Sequence, residues 1–593
     1  MSQRFKTLVD VYQNSTRQFA DRQLFGTKGE GGYAWTSYGQ FAQQVEHFRG
    51  ALATLGVGRG DTVAVICDNR VEWAVGAFAT YTLGARYCPM YEAQSPKDWE
   101  FIIADSGARV LLVANETIER QVRPLSERIE ALEHVVYFDG PRGPNSFMRL
   151  LGVGMEQPHP LVEVDEDEIC ALIYTSGTTG DPKGVLLSHR NIVSNIEAVQ
   201  SFEIVSPEDV SLSFLPWAHA FGHTIELNLL FSAGAAMGLA ESIKTIPDNL
   251  LEVRPTILLA VPRIFNRIYE GVHKKVADEG GVRQRLFSAA MNNAERLRDK
   301  QEDGGHAGIL TRTLDNIFEN VIFSRIRERF GGRLRLAISG GAALNPAVAH
   351  FIDNLNITVL EGYGLTETAP LISCNLPNAR KIGSVGRPIP GVEVFIDTSK
   401  STEEGTGEVC VRGPNVMVGY HNLADKTRAV LDDEHTFRTG DLGHIDEDGF
   451  LWLSGRIKDE FKLENGKYVA PSALEEQLQL SPFIDQIMLE GQNRPFVVAL
   501  INVAKDELEE WAKAQGVSSE SSLDDDAVKK LYLDEIVRLS ADFKSYARPR
   551  TVLLVDDEWT PENGILTPTL KLKRAVVVER YKERLDALYA SSK

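Results

Sequence analysis

Between Asp61 and Asp139 the chain alternates short apolar runs with longer amphipathic ones, and few folds accept that pattern. DTVAVIC, RVLLVA and HVVYFD read as strands, while EWAVGAFATYTLGA and ETIERQVRPLSERI read as helices. Ser95, Pro96 and Asp98 mark a further helix start before WEFIIADSG. A hydroxyl cap, a proline at the first position and an early carboxylate all suit the free N–H groups of a helix end. Strands separated by helices pair in parallel, so these βαβ units predict an α/β domain.

A later apolar run, EICALI, reads as a buried strand and leads into YTSGTTGDPKGV (Tyr174 to Val185). That stretch carries five hydroxyl side chains, three glycines and one lysine. Runs of this kind are often surface linkers. Here a core strand precedes it and the apolar VLLSH follows, which favours a loop that wraps phosphate. Glycines bring backbone N–H groups close to a ligand, the hydroxyls of Thr175, Ser176, Thr178 and Thr179 donate, and Lys183 supplies positive charge. A Walker A loop is excluded by spacing, since Pro182 precedes Lys183 and Gly184 follows it.

Composition narrows the partners. A formal net charge of −20 argues against nucleic acid or an anionic membrane as the main partner, so any phosphate site is built from local donors. The cysteines at 67, 88, 170, 374 and 410 are scattered, with no CxxC pair, which fits a reducing cytoplasm and neither a disulfide framework nor a zinc site. The N-terminal segment has no long apolar core of a signal peptide, and LLFSAGAAMGLA is too short to span a bilayer. Apolar residues at 286, 290, 294 and 297, then at 310, 314, 317, 318, 321 and 322, predict a helical hairpin about the turn QEDGGHAG. From Lys381 to Gly455 short strands alternate with Gly, Pro and Asp turns, and GHID and FLWLSG flank EDG as a hairpin. A smaller charged α+β region follows Arg456.

Four more polar islands lie at apparent strand ends. LAISGGAAL (336–344) offers glycines where a flat ring can approach the backbone, and GYGLTET (362–368) presents Tyr363, Thr366 and Glu367. A carboxylate such as Glu367 can hold Mg2+ against phosphate oxygens. TGD (439–441) places Asp441 in a loop as an acceptor for ribose hydroxyls, and GRIKDEFKLENGKYVAP opens the last region with Arg456 and Lys458. Taken singly, each has an ordinary reading: Asp441 as a turn residue, Arg456 as a surface ion pair, Tyr363 as core. SGGAAL also resembles part of a hydrolase elbow around Ser339, but Ala337 stands where GxSxG needs glycine.

In this order, YTSGTTGDPKGV, LPWAHAFGH, ISGGAAL, GYGLTET, GEVCVRG, TGD, GRIKDEFKLENGKYVAP and NGILTPTLKLKR resemble the adenylate-forming superfamily over most of the chain. The insertion near 283–330, KLENGKYVAP and the ending LTPTLKLKR make the resemblance strongest to AMP-forming long-chain fatty acyl-CoA synthetases. The resemblance implies ATP, Mg2+ and CoA, and two steps: a fatty carboxylate displaces pyrophosphate to give an acyl-adenylate, then the CoA thiol displaces AMP. Thr175, Ser176, Gly177, Thr178, Thr179, Gly180 and Lys183 match the β/γ-phosphate loop. Gly341, Ala342, Gly362 and Tyr363 match the adenine slot, Thr366 the α-phosphate contact and Glu367 the Mg2+ ligand. Asp441 and Arg456 match the ribose clamp. Lys571 matches the lysine bridging carboxylate and α-phosphate, with Lys573 two residues away as the competing register. His219 matches a position near the acyl carboxylate, and a packed histidine is the competing reading. Trp217 resembles an acyl-tunnel gate and Lys458 a hinge.

The expected architecture is therefore α/β. A large N-terminal domain, residues 1–456, holds parallel sheets, a helical insertion at about 283–330 and a small β-barrel-like part at about 381–455. A mobile α+β C-terminal domain, 457–593, turns about Lys458. A medium-chain or aryl-acid CoA ligase, an enzyme loading an acyl carrier protein and a nucleotide sensor without turnover are the alternatives. Acyl chain length, oligomeric state and transient contact with a membrane surface stay open at this stage.

Overall fold

A computed structural model describes residues 5–141, 143–175, 182–302, 317–400, 405–516, 523–560, 563–567 and 571–590. Its chain divides into two compact units. The first runs to Thr175, from Pro182 to Val394 and from Val411 to Phe437; the second takes Phe395–Cys410 and the chain from Arg438 onward.

The first unit holds two mixed sheets. In the seven-stranded one, Thr62–Ile66 is flanked in parallel by Arg86–Met90 and Ala108–Asn115, and His134–Asp139 extends the parallel run. All five residues of Thr62–Ile66 are buried, as expected of a parallel strand covered on both faces. The three strands appear as read, and both helices are present but shorter: one ends at Tyr81, and the other at Val122, where Arg123–Glu127, with Pro124, tightens into a 3-10 turn. Ser95 caps Pro96–Ser106 by accepting from the Asp98 N–H. The pattern does not resolve Arg86–Met90. This strand follows the Val71–Tyr81 helix after only four residues and carries a proline. Ile169–Thr175 continues the sheet and turns back as Lys183–Ser188, with Thr175 opposite Lys183, and Gly419–Tyr420 pairs on the far side.

The nine-stranded sheet has a parallel centre with antiparallel edges. Leu336–Ser339 and Thr358–Gly364 are neighbours there, with Ser339 opposite Glu361. Beside it stand the helices Pro262–Glu279 and Gly281–Glu302, which meet at Gly280 and Gly281, both at φ +56°. The second helix contains the apolar positions 286, 290, 294 and 297 and ends at Glu302, where the expected turn QEDGGHAG begins; most of that turn lies outside the described residues. The buried face is Phe287, Ala290 and Ala294, and Leu286, expected in the core, is 38% exposed because it falls one position off that face.

The second unit carries a four-stranded sheet in the order Glu393–Asp397, Gly407–Arg412, Phe437–Ile445, Leu451–Arg456, where the small β-rich part was expected. The hairpin about EDG is present: the Gly449 N–H donates to the Asp446 carbonyl at 2.9 Å, with Gly449 at φ +82°. A three-stranded sheet, Ile484–Glu490, Val498–Val503 and Thr551–Val555, forms the α+β end. Leu474, Leu478, Tyr532 and Ile536 share one of its apolar clusters, and Val577, Tyr581, Leu585 and Tyr589 share another. No helix among the described residues is long and apolar enough to cross a membrane.

The tightest crossing in the first unit joins the helices Tyr38–Thr54 and Phe147–Glu156. A Cβ on Gly154 would stand 1.6 Å from the His47 carbonyl oxygen, while one on Gly152 would meet nothing within 4 Å. Gly154→Ala must therefore push the two helices apart, at a cost of about 1–3 kcal/mol. Gly152→Ala should be neutral or slightly stabilising. Thermal denaturation of both variants checks this, with a lowered transition expected for Gly154→Ala alone.

Candidate active site

Two polar islands leave the carboxyl ends of adjacent parallel strands, the usual place for a ligand crevice in an α/β sheet. The loop after Leu336–Ser339 carries Gly341, at φ +85°, and Ala342, both exposed. The end of Thr358–Gly364 carries Gly362, half-buried, and Tyr363, 8% exposed. The structure thus places the four expected adenine-slot residues on neighbouring strand ends. Glu361 ties the two segments together, since its Oε1 accepts the Leu344 N–H at 2.9 Å. Burial pushes the Glu361 carboxyl up to about 7. The sequence reading passed over Glu361 because it precedes the GYG motif. Ser339 is fully buried, so the partial elbow motif presents no exposed nucleophile.

Beyond Gly364 the chain turns tightly. The Leu365 N–H donates to the Pro370 carbonyl at 3.0 Å, and a Cβ on Gly364 would lie 1.8 Å from that same oxygen. This turn presents Thr366, 8% exposed, and Glu367, half-buried. The Met417 N–H donates to the Glu367 carbonyl at 2.8 Å, and the Tyr420 hydroxyl donates to Glu367 Oε1 at 2.8 Å. The Lys183 ammonium stands 4.9 Å above the centroid of the same Tyr420 ring, within cation–π range. The expected phosphate-loop lysine and the expected metal carboxylate are therefore joined through one tyrosine. Burial, with Glu367 beside it, pushes the Tyr420 hydroxyl well above its ordinary range, so it stays a donor. Nothing in the sequence near Tyr420 distinguished it; only the pairing of Gly419–Tyr420 with Lys183–Ser188 brings it here. Thr175 is half-buried and its hydroxyl donates to the Lys183 carbonyl at 3.4 Å. Ser176, Gly177, Thr178, Thr179 and Gly180 lie outside the described residues.

The segment LPWAHAFGH is a polar knot. Trp217 is fully buried against Phe25 and Trp73, at ring distances of 5.6 and 5.5 Å. Its indole N–H donates to Glu226 Oε2 at 3.2 Å, and the Ser213 hydroxyl donates to the same oxygen at 2.6 Å. Glu226 is wholly buried, and burial pushes its carboxyl up to about 8 against the lowering effect of these bonds. His219 is half-buried, and its Nδ1 accepts the Phe221 N–H at 3.2 Å. His223, next along, contacts the Tyr81 hydroxyl at 2.7 Å, and burial lowers it to about 4, which keeps it neutral.

The remaining expected residues belong to the second unit. Asp441 and Arg456 are cross-strand partners, with Arg456 Nε 2.8 Å from Asp441 Oδ1. Asp441 sits within the strand Phe437–Ile445 and not in a loop: Gly440, at φ +73°, bends the strand without ending it. Lys458 is exposed in the turn after Arg456. Lys571 is exposed beside Thr567, whose N–H donates to its carbonyl at 2.8 Å. Among the described residues no three metal-ligating side chains cluster.

Glu226 gives a pH test. Its folded-state value, about 8, lies above the ordinary 4.5, so the fold favours the neutral carboxyl. The stability this provides is complete below pH 4.5 and is lost as pH rises through about 8. Glu226→Gln keeps an acceptor for Ser213 and Trp217 but cannot ionise. The fall in melting temperature between pH 6 and pH 9 should be shallower in this variant than in the unaltered protein; parallel curves would remove Glu226 as its source.

Two family models match the chain: AMP-binding enzyme over residues 12–421 and AMP-binding enzyme C-terminal domain over 458–593. The long-chain-fatty-acid–CoA ligase FadD15 of Mycobacterium bovis is 33% identical over 570 residues, 94% of this chain and 92% of its own. The peroxisomal long chain acyl-CoA synthetase 7 of Arabidopsis thaliana is 31% identical, over 98% of this chain and 86% of its own. Among solved structures, the adenylation domain of a Mycobacterium chelonae carboxylate reductase superposes with a TM-score of 0.78 at 24% identity, covering 98% of this chain and 91% of that one. That likeness carries the fold. The strand-end motifs and the full-length matches agree, and the chain belongs to the AMP-binding enzyme family.

Proposed function

We propose that this chain is a long-chain fatty acid–CoA ligase that activates a fatty acid with ATP and passes the acyl group to CoA, releasing pyrophosphate and AMP. The observation that carries this reading is the line Lys183–Tyr420–Glu367 at the strand ends, in a chain whose relatives match over nearly its whole length. Forming the adenylate brings an anionic carboxylate against an anionic phosphate, so placed cations and donors must offset the repulsion. Lys183 and Thr175 serve the outer phosphates together with Ser176–Gly180, and Thr366 serves the α-phosphate. The Gly341–Ala342 loop and Tyr363 take the adenine. Asp441, with its carboxylate oriented by Arg456, accepts from the ribose hydroxyls.

The donor set suits Mg2+. One half-buried carboxylate, held on one oxygen by a tyrosine, cannot cage a cation alone, but Mg2+ is commonly held by one or two carboxylates plus substrate phosphates. Glu367 would hold it, and the ion would neutralise charge on the phosphate oxygens. Lys571 screens the reacting carboxylate, His219 lies by the acyl carbonyl, Trp217 borders the acyl path, and Lys458 is the pivot that lets Lys571 withdraw before CoA attacks. Work in the cytoplasm fits the five scattered cysteines, none of which forms a disulfide. Passing contact with a membrane would deliver a poorly soluble acid.

A panel of carboxylic acids from C2 to C20, with aromatic acids included and CoA present or absent, tests the reading. Long-chain acids should release AMP and pyrophosphate in amounts that match the thioester formed. Turnover confined to short or aromatic acids, release of ADP, or transfer only to a carrier protein would overturn it. Glu367→Gln should raise the Mg2+ concentration needed for half-maximal adenylate formation by about tenfold, as for loss of one charge-assisted contact. Titrating Mg2+ at fixed ATP checks this.

A further inference from the structure

Lys571 is carried by a small hairpin. Leu566 and Leu572 bridge across it, the Lys573 N–H donates to the Ile565 carbonyl at 2.9 Å, and the Lys571 N–H donates to Thr567 Oγ1 at 3.0 Å. Ile565 and Leu566 are buried and Leu572 packs on the same apolar cluster, so in this extended stretch the side chains of Lys571 and Lys573 face the other way. Apolar packing of Ile565, Leu566 and Leu572 seats the hairpin on the three-stranded sheet. A side chain just beyond it adds a directional polar anchor.

Arg574 follows Lys573 directly and opens the helix Arg574–Arg580. Its Nη1 donates to Glu475 Oε1 at 2.8 Å and to Oε2 at 3.0 Å, and its Nη2 donates to the Leu489 carbonyl at 2.5 Å. Glu475 Oε1 also accepts the Leu489 N–H at 2.6 Å. One carboxylate thus locks the guanidinium to the helix Ser472–Leu478 and to the strand Ile484–Glu490. The two side chains are only 21% and 12% exposed, so solvent screens the pair weakly. Asp459 and Glu490 are the other carboxylates whose charge reaches Arg574.

We propose that Arg574 and Glu475 are positioning residues for Lys571, setting the reach of its ammonium during acyl-adenylate formation. The inference rests on the reading of Lys571 given above. A hairpin anchored at its base by a forked, half-buried ion pair holds its lysine in one direction, and a lysine that must neutralise charge only as two anions meet depends on that direction. A shift of about 1 Å in such a group can cost as much as 10²-fold in rate. The role is confined to one step, because the second half-reaction does not use Lys571.

That confinement supplies the test. Arg574→Lys keeps the charge but loses the fork, and Glu475→Gln keeps the shape but loses the charge. Glu475→Asp, shorter by one methylene, serves if either variant fails to fold. For each, adenylate formation is measured as pyrophosphate release without CoA, thioester formation is measured from supplied acyl-adenylate and CoA, and the melting temperature is recorded. Lys571→Ala runs beside them and should lose about 10²–10³-fold in the first step alone. The expected result is a loss of about 10–100-fold in adenylate formation for the pair variants, with thioester formation within twofold. Equal losses in both steps, or none while Lys571→Ala is impaired, would make the pair a fold stabiliser and overturn the proposal. Intact adenylation in Lys571→Ala would overturn the reading of Lys571, and the proposal with it.

Discussion

The register between Leu336–Ser339 and Thr358–Gly364 governs the first unit's site. With Ser339 opposite Glu361, the Gly341–Ala342 loop leaves its strand where the neighbouring one runs on through Tyr363 to Gly364 and then into the Thr366–Glu367 turn. A slip of one residue would turn Tyr363 and Glu361 together to the other face of the sheet. Glu361 reinforces the register from above by accepting the Leu344 N–H. This carboxyl is buried for a structural reason, and its rise to about 7 follows from burial, so a perturbed acid in the site need not be a reacting group.

A strongly acidic protein that binds a triphosphate has to concentrate positive charge locally. Lys183 shows how: its ammonium is held over the Tyr420 ring, and the hydroxyl of that ring is spent on Glu367. One rigid aromatic residue thus spaces a cation from a carboxylate that would otherwise pair directly and cancel. A direct Lys–Glu ion pair would be a better stability device and a worse ligand.

How far the sequence could be read depended on the range of the interaction. The parallel strands were legible because the alternation of apolar runs is local, and so was the Ser95 cap. The motif runs were legible as a family signature, because phosphate and ribose chemistry demands particular side chains in short runs. Arg86–Met90 was not, since a five-residue strand with a proline gives no period. The helix Pro262–Glu279 and its break at Gly280–Gly281 precede the stretch in which the apolar spacing was read, and nothing local announced them. Tyr420, Glu226 and the Arg574–Glu475 pair escaped altogether. Their partners are 53, 9 and 99 residues away, and the two long-range contacts arise only when separate elements pack. Glu226 is close in sequence to Trp217, but a glutamate nine residues from a tryptophan signals nothing until both are known to be buried.

The turn after Arg456 limits how a pivot at Lys458 could work. The Ile457 N–H donates to the Gly440 carbonyl at 3.0 Å, and the N–H groups of Asp459 and Glu460 both donate to the Arg456 carbonyl, at 3.0 and 3.1 Å. The peptide groups on either side of Lys458 are therefore tied back to the Asp441–Arg456 hairpin. A rotation at this residue would release the Asp459 and Glu460 bonds, while the Ile457 bond and the Asp441–Arg456 pair belong to the hairpin and would remain. Two weak, solvent-exchangeable bonds are a small barrier, whereas the cross-strand pair on the other side is part of a sheet. In such a rotation Asp441 and Arg456 would stay paired in their hairpin while the chain beyond Ile457 changes direction.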